Sequence, residues 1–537
     1  MGNTKRKAVE KHLVLLMCLI LAVGLMPSTA FADESYPDVT TPVYAGTEPG
    51  QTPVVDVGNV TVNTSDPSNT FAVYSHARND ADATANVHGS TTFEGTTTRG
   101  DTSALARSTG GTATLEVVKD VTADITFEGS DQPEITGLGA RSDGDGAKTI
   151  ANIGGDVTVN ATKNDDSRAS IGAIGILQTA IPNTPNPQTS SQVVVNGDVA
   201  VAATTDSGIT TGDAQGIIAR ADKSASASTI VMGDVMVKAA AASGMQVSGY
   251  MPTEGSDSSI AAKTTIMVGR NLIVESNSSK GQSWGIESVS QGGLITVYIG
   301  GDVTSTSSNG QAMGIHASAN EGSTDILIEN TLTARTAGVV GSSKGGQLDI
   351  TVWKIDSDLV AGKSTGPFKF EEDTAMEKAI NYIIKVEQPQ EGNILSLLGT
   401  TIKEFPTLDG KRSFDVANMG QKVYLNVEEG WIITAAFNGK GDKIELEKDD
   451  QGWFVIVPNG GGVYLSAQVA KAGPAPTPTP IPSPTPAYEP GSNDGAGYLP
   501  ATGDSPIATI VLALTAVASL ALALFAASRM NGRRSCS

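Results

Sequence analysis

Residues 294–323 read LITVYIGGDVTSTSSNGQAMGIHASANEGS. An alternating run, LITVYI, meets a Gly-Gly-Asp turn. A second run, VTSTS, follows, and a third, MGIHAS, ends in a turn rich in Asn and Gly. Apolar residues recur with period two in each run, so the three are strands; a helix would space them at three and four. The turn recurs as Gly58-Asn59, Gly89-Ser90, Lys119-Asp120, Gly155-Asp156, Gly197-Asp198, Gly233-Asp234, Arg270-Asn271, Gly301-Asp302 and Glu329-Asn330, with second members 28 to 42 residues apart. Self-similarity at such a period marks a repeat protein. A second marker lies between the turns: Ala77-Arg78, Ala106-Arg107, Ala140-Arg141 and Ala219-Arg220, with Ile286-Glu287-Ser288 and Ile315-His316-Ala317 related to it.

Three short strands per repeat, with turns at fixed places, predict an all-β chain whose residues 54–356 form a parallel β-helix. Each coil bonds the next, and inward Val, Ile, Leu and Ala stack into one continuous core. A β-propeller would need four strands per unit and repeating aromatics, and an array of β-sandwiches would need longer units. The Pro-Asn insertion in Thr179–Ser191 is expected as a loop on one face. Residues 33–53 read as an N-terminal linker. After Asp356 the pattern changes: a short helix is expected within Glu371–Ile380, then strands at Tyr382–Val386, Lys422–Val427, Trp453–Val457 and Val463–Val469, with a hairpin turn at Asn438-Gly439. Residues 365–470 are expected to form a small β-sandwich-like module with Trp431, Trp453 and Phe454 in its core.

The two ends carry processing signals. Lys5, Arg6, Lys7 and Lys11 precede an apolar run from Leu13 to about Met26, then Ala30-Phe31-Ala32. Basic, apolar and A-x-A segments in that order predict a secretory signal peptide over 1–32, cleaved after the small residues Ala30 and Ala32. Pro474–Pro490, PAPTPTPIPSPTPAYEP, favours polyproline II, so residues 473–498 form an extended linker. Ile507–Ala527 holds 21 uncharged residues, enough for a transmembrane helix in the precursor. Arg529, Arg533 and Arg534 form a basic tail expected in the cytoplasm.

Between linker and apolar span stand Leu499, Pro500, Ala501, Thr502 and Gly503. With the span and the Arg tail, residues 499–537 resemble the LPxTG cell-wall sorting signal of Gram-positive surface proteins. The resemblance implies that a sortase attacks the Thr502–Gly503 carbonyl with a cysteine thiolate, so that the catalytic chemistry belongs to the partner. It further implies that Thr502 is passed to a peptidoglycan amine, leaving the protein secreted and covalently anchored to the cell wall. The order GQKVYLNVEEGW…DDQGWFVIVP…GVYLSAQV, over Met419–Val469, is similar to the small β-sandwich modules that precede wall anchors.

The discarded ends hold seven of the 36 basic and two of the 57 acidic residues, leaving a net charge of −26. Such a chain repels nucleic acid and anionic membranes, so neither is an expected partner. Cys18 and Cys536 also lie in the discarded ends, so no disulfide framework is expected. No catalytic constellation stands out. Asp165-Asp166 sits in a loop sequence, KNDDSR. Asp120, Asp156, Asp198, Asp234 and Asp302 recur at one corner, which suits a turn role with Asp side chains bonding local backbone N–H groups. His76 and His316 are assigned to one repeat position and expected to point outward. Ser142-Asp-Gly-Asp-Gly146 lacks the later ligands of a calcium loop, and neither a metal nor a cofactor is expected. Arg78, Arg141 and Arg220 each precede an Asp by two residues, on one face of a strand, which suits local ion pairs; a basic ladder for an anionic glycan is the alternative. The expected function is a non-enzymatic adhesin or surface-display protein with a host glycan or matrix ligand, for which Tyr250, Met251 and Trp284 are candidate contacts. The alternatives are a polysaccharide-acting enzyme on a β-helix scaffold and a structural surface-layer protein.

Overall fold

A strand of period two sends alternate side chains to opposite faces, and parallel stacking buries one of the two rows. The computed structural model describes residues 36–473 except 47–50, 66–69, 129–132, 164–170, 185–187, 206–207, 210, 251–260, 278–281, 309, 367–368, 390–394, 439–441 and 445. All of them belong to the first of the chain's two units, 1–473. The signal peptide over 1–32, the Pro-rich stretch from 474 and the sorting signal with its apolar span lie outside the described residues. Among those residues no helix is long and apolar enough to cross a membrane.

The described chain is nearly all strand, wound into stacked coils. In a representative coil Ser190–Val195 belongs to a first ladder, Val199–Thr205 to a second and Asp213–Asp222 to a third. Each pairs in parallel with its counterpart in the next coil, at Ser226–Val231, Val235–Ala239 and Ala241–Tyr250. The first ladder opens at Val54–Val57, the second at Val60–Asn63 and the third at Val43–Gly46, a strand inside the stretch read as a linker. The chain is thus an all-β solenoid of parallel coils, the architecture that the repeat period predicts. Its core is built of columns: Leu138, Ile176, Ile217, Met245, Ile286 and Ile315 follow one another in register on the third ladder, all fully buried. Val157, Val199, Val235, Leu272 and Val303 do the same on the second. Each such side chain contributes about 1.5–3 kcal/mol by leaving water.

The corner between first and second ladders explains the recurrent Gly-Asp. Asp120 Oδ1 accepts from the Asp156 amide at 2.9 Å, Asp156 from Asp198 at 2.8 Å, Asp198 from Asp234 at 2.8 Å, and Asp234 from Asn271 at 2.8 Å. Asn271 Oδ1 continues the series to the Asp302 amide at 2.9 Å, and Asn59 to Ser90 at 3.0 Å. The expected local turn bond is therefore corrected: each side chain bonds the next coil, because parallel stacking puts that amide nearer than its own turn. Glycine eases the same contact in most coils, although Arg270 holds that place over Asp234. A Cβ on Gly155, Gly197 or Gly233 would fall about 2 Å from the Oδ1 of the preceding coil's Asp. Lys119 is tolerated where that neighbour is Ser90. The last turn needs a second correction: a register shift between Ile328 and Thr331 makes Thr331, not Asn330, the residue whose amide Asp302 reaches, at 2.9 Å.

A second glycine column lies inside the third ladder, at Gly175, Gly216, Gly244, Gly285 and Gly314. A Cβ on each would meet the next glycine's carbonyl oxygen at 2.5–2.6 Å, and most would also strike an inward Val or Leu of the second ladder. The missing side chains let the two ladders close on each other.

The solenoid continues beyond Asp356. Leu359–Gly366 extends the third ladder and Ile380–Ile383 the first. Between them a single helical turn, α1 (Thr374–Lys378), is capped by Asp373 and sets Met376, 4% exposed, against the end of the core. It falls within the expected Glu371–Ile380. Thr401–Thr407 and Gly410–Ala417 then form an antiparallel hairpin, joined through Val416 to Ile383. The hairpin lies over the outer face of the first ladder, where Phe405 and Val416 pack with Ile230, Met267, Tyr298 and Leu327. Two four-stranded sheets complete the unit. One orders Lys385–Glu387, Tyr464–Lys471, Trp431–Phe437 and Lys443–Ile444; the other orders Leu395–Leu398, Lys422–Val427, Gly452–Ile456 and Glu447–Asp449. Val423, Leu425 and Leu465 are buried between neighbours there, and so is Phe454. Trp453, expected in the core, is instead 37% exposed, because it lines a cleft of about 370 Å³ with Ile433, Lys443 and Leu446.

Candidate functional site on the third ladder

The third ladder turns two rows of side chains outward, two residues apart along each strand. The first row holds, in register, Tyr44, Tyr74, Leu105, Gly139, Leu177, Ile218, Gln246, Glu287 and His316. The second holds Gly46, His76, Arg107, Arg141, Thr179, Arg220 and Ser248. Strand spacing places successive members about 4.8 Å apart, and the rows run about 7 Å from each other.

This register corrects several assignments. His316 aligns with Tyr74, whereas His76 aligns with Arg107, so the two histidines do not share a repeat position. His316 is half-buried against Trp284, ring centroids 4.7 Å apart, and sits 3.8 Å from Glu287. That contact and a hydrogen bond from Gln246 keep the Glu287 carboxyl below its ordinary range despite burial. His76 lies on an outward row as expected, but Tyr44 and Tyr74 cover it, so it is only 4% exposed. Arg78 lies at the end of its strand, two residues past the position of Arg107.

Of the three expected Arg-Asp pairs, Arg220–Asp222 forms within its strand, at 2.6 Å. Asp143 instead pairs with Arg107 of the preceding coil, at 3.0 Å, and Arg78 donates to the His76 imidazole, Nη2 to Nδ1 2.9 Å. Arg141 is exposed and enters no ion pair among the described residues. Asp145, the second acid of the sequence SDGDG, accepts from the Thr184 amide at 2.9 Å and its hydroxyl at 2.7 Å, which ties an insertion loop to the coil. Among the described residues no group of three His, Cys, Asp or Glu side chains is placed to hold a metal. Asp165-Asp166 lies outside them.

The aromatic candidates are not brought together. Trp284 and Tyr250 stand at opposite ends of neighbouring strands, about 23 Å apart along the strand direction, and Met251 lies outside the described residues. Tyr250 lies under the Arg220 guanidinium, 4.8 Å from its centroid. A different cluster is assembled at the first coils. Tyr44 meets Tyr74 at 5.3 Å and Phe71 at 6.3 Å; Phe71 meets Tyr74 edge-on at 5.2 Å; Tyr74 stacks on His76 at 5.0 Å. Tyr74 Oη lies 3.0 Å from His76 Nδ1 and Tyr44 Oη 3.5 Å from it. Gly46 makes this possible, since a Cβ there would lie about 2.1 Å from the Tyr44 ring, which occupies the space of the absent side chain. Tyr44 remains 48% exposed while its neighbours are half-buried.

Electrostatics keep the cluster neutral at its centre and positive at its edge. Burial, then Arg78 and Arg107, hold the His76 imidazole down to about 4, so it is uncharged at neutral pH. Burial also raises the Tyr74 hydroxyl, opposed by Arg107. A neutral His76 covered by two tyrosines is a support for the platform rather than a proton carrier open to a ligand. At the opposite edge of the strand Asp101, 6% exposed, is pushed up to about 6 by burial, with Arg99 at 3.4 Å offsetting part of the rise.

Another enclosed charged cluster lies elsewhere. Lys403 Nζ sits 2.6 Å from Asp349 and 3.1 Å from Asp325, under the hairpin on the first ladder. Burial raises the Asp325 carboxyl, with Lys403 opposing. Together with Arg412–Glu329 at 2.8 Å, this cluster pins the hairpin to the coils. Neither it nor the Tyr44 cluster was visible in the sequence markers, although Val43-Tyr44 and Val73-Tyr74 repeat at the coil spacing of 30. In comparisons with known proteins, no family model, no curated protein and no solved structure matches the chain.

Proposed function

We propose that the chain is a secreted Gram-positive surface protein, anchored covalently to peptidoglycan through Thr502, that acts by binding rather than by catalysis. The observation that carries the binding part is the third ladder's outer face: a half-exposed aromatic platform beside an arginine row, on strands fixed by parallel neighbours. A rigid, continuous flank of this kind suits contact with an extended ligand. The anchoring part is supported by the order of the sequence signals: A-x-A near residue 32, the Pro-rich stretch, LPATG at 499–503, the apolar span 507–527 and the Arg tail. A sortase is the partner that joins Thr502 to the wall, and the precursor is held in the plasma membrane by its apolar span until then. The two four-stranded sheets serve as a small β-sandwich at the base of the solenoid. The Pro-rich stretch Pro474–Pro490 serves as the spacer between the folded chain and its wall attachment.

The test is fractionation of cells that express the full chain in a sortase-bearing Gram-positive host. The protein is expected in the wall fraction, released by a muralytic enzyme and not by detergent. Thr502→Ala should move it to the membrane fraction or the medium. Equal release of both forms by detergent alone would refute wall attachment.

A further inference from the structure

The geometry points to an acidic glycan with one carboxylate per sugar, a uronate chain, as the ligand of the third ladder, lying along the solenoid axis from Tyr44 toward Arg220. This rests on the third ladder being the binding flank, but not on wall attachment, which the fractionation above measures separately. Three observations carry it. Tyr44 offers an exposed ring, held in place by Tyr74 and Phe71, and a flat aromatic face takes the apolar side of a pyranose. The apolar row continues through Leu105, Leu177 and Ile218, all half-buried. Two residues along each strand, Arg107, Arg141 and Arg220 supply guanidinium groups on the row beside it, and such groups bind carboxylates in bidentate fashion.

Charge narrows the ligand further. The chain as a whole carries −21, so this row is a local site for an anion on a molecule that otherwise repels one. Asp143 and Asp222 stand beside Arg107 and Arg220 at 3.0 and 2.6 Å. They neutralise part of the row and leave Arg141 as its most available cation. A site so balanced accepts a single carboxylate per sugar and disfavours polymers that bring several anionic groups to each residue. With one strand every 4.8 Å or so, successive sugars of an extended chain meet successive coils. His76 is 4% exposed beneath the tyrosines and supports them from below, and the site is assigned binding alone.

The experiment titrates purified full-length protein with a galacturonate hexamer, with the neutral galactose hexamer of the same linkage, and with heparin, a sulfated polymer whose sugars carry on average more than one anionic group each. The uronate should bind, at least tenfold more tightly than the neutral chain and more tightly than the sulfated one, and its affinity should fall severalfold between 50 and 300 mM salt, roughly as screening of a few exposed charges requires. Arg141→Ala and Tyr44→Ala should each weaken binding about tenfold while thermal unfolding is unchanged. Arg335→Ala, on the turn before the third-ladder strand Ala337–Lys344 and four coils beyond Arg220, should leave binding as it was. Equal binding of the neutral hexamer, tighter binding of heparin, an equal effect of Arg335→Ala, absence of binding, or appearance of unsaturated sugar products would each overturn the inference.

Discussion

The corner between the first and second ladders and the outer face of the third are built from the same coils, yet they differ in kind. At the corner almost every coil repeats one device, a carboxylate or amide side chain reaching the next coil's amide over a glycine. On the third ladder each coil differs: tyrosines at the first coils, arginines in the middle, a Trp284–His316 pair further on. What recurs in every coil holds coils together. What occurs once is free to meet something outside. That distinction also separates Asp156 and Asp198, which look like a repeating acidic stripe but are consumed in backbone bonding, from Arg141, which is not.

The sharpest way to break the corner is Gly197→Val. Its Cβ would stand 2.0 Å from Asp156 Oδ1 and 2.7 Å from the Gly155 carbonyl group, so either the acceptor or the backbone must move. A loss of more than about 3 kcal/mol is expected, measured by chemical denaturation. Next is Asp101→Asn at the start of a third-ladder strand. The Asp101 pKa in the fold, about 6, lies above its ordinary value. Its stabilising contribution is therefore complete below about pH 4 and is lost as pH rises through 6. The variant should gain about 2 kcal/mol over the parent at pH 7.5 and nothing at pH 4, and equal unfolding midpoints at both pH values would contradict this. The smallest effect tests whether charge or only an acceptor matters at the corner. Asp198→Ala should cost about 1–2 kcal/mol by stranding the Asp234 amide. Asp198→Asn should stay within about 0.5 kcal/mol of the parent, because Asn59 and Asn271 already fill that role.

Much of this organisation was legible in the sequence. The solenoid followed from period-two runs and from Gly-Asp turns at coil spacing, both of which depend on local residues alone. The direction of the Asp bonds was not, because a side chain's choice between its own turn and the next coil is set by stacking. The offset of His76 from His316 was hidden for a similar reason: coils of unequal length realign by ladder register, and a dipeptide such as Ala77-Arg78 can imitate Ala106-Arg107 two residues out of step. One signal was present but unused. The first-ladder runs TIVMG, TIMVG, TVYIG and DILIE abandon alternation in their last residues. Ile230, Met267, Tyr298 and Leu327 face outward there and are covered by the hairpin around Phe405 and Val416, a partner 78 to 186 residues away that no local pattern could name. The Tyr44 cluster was missed because its first member precedes the first complete coil.

The staircase of side-chain bonds has a mechanical consequence. A coil of 36 residues, such as that from Asp120 to Asp156, advances the stack by only about 4.8 Å, yet the same residues pulled straight reach about 120 Å. Tension that peels strands from one end meets the same small latch at coil after coil, so the chain would yield in steps rather than all at once. Each step would lengthen the molecule by more than twenty times the height it removes. A filament wound in this way behaves as a shock absorber for whatever it holds.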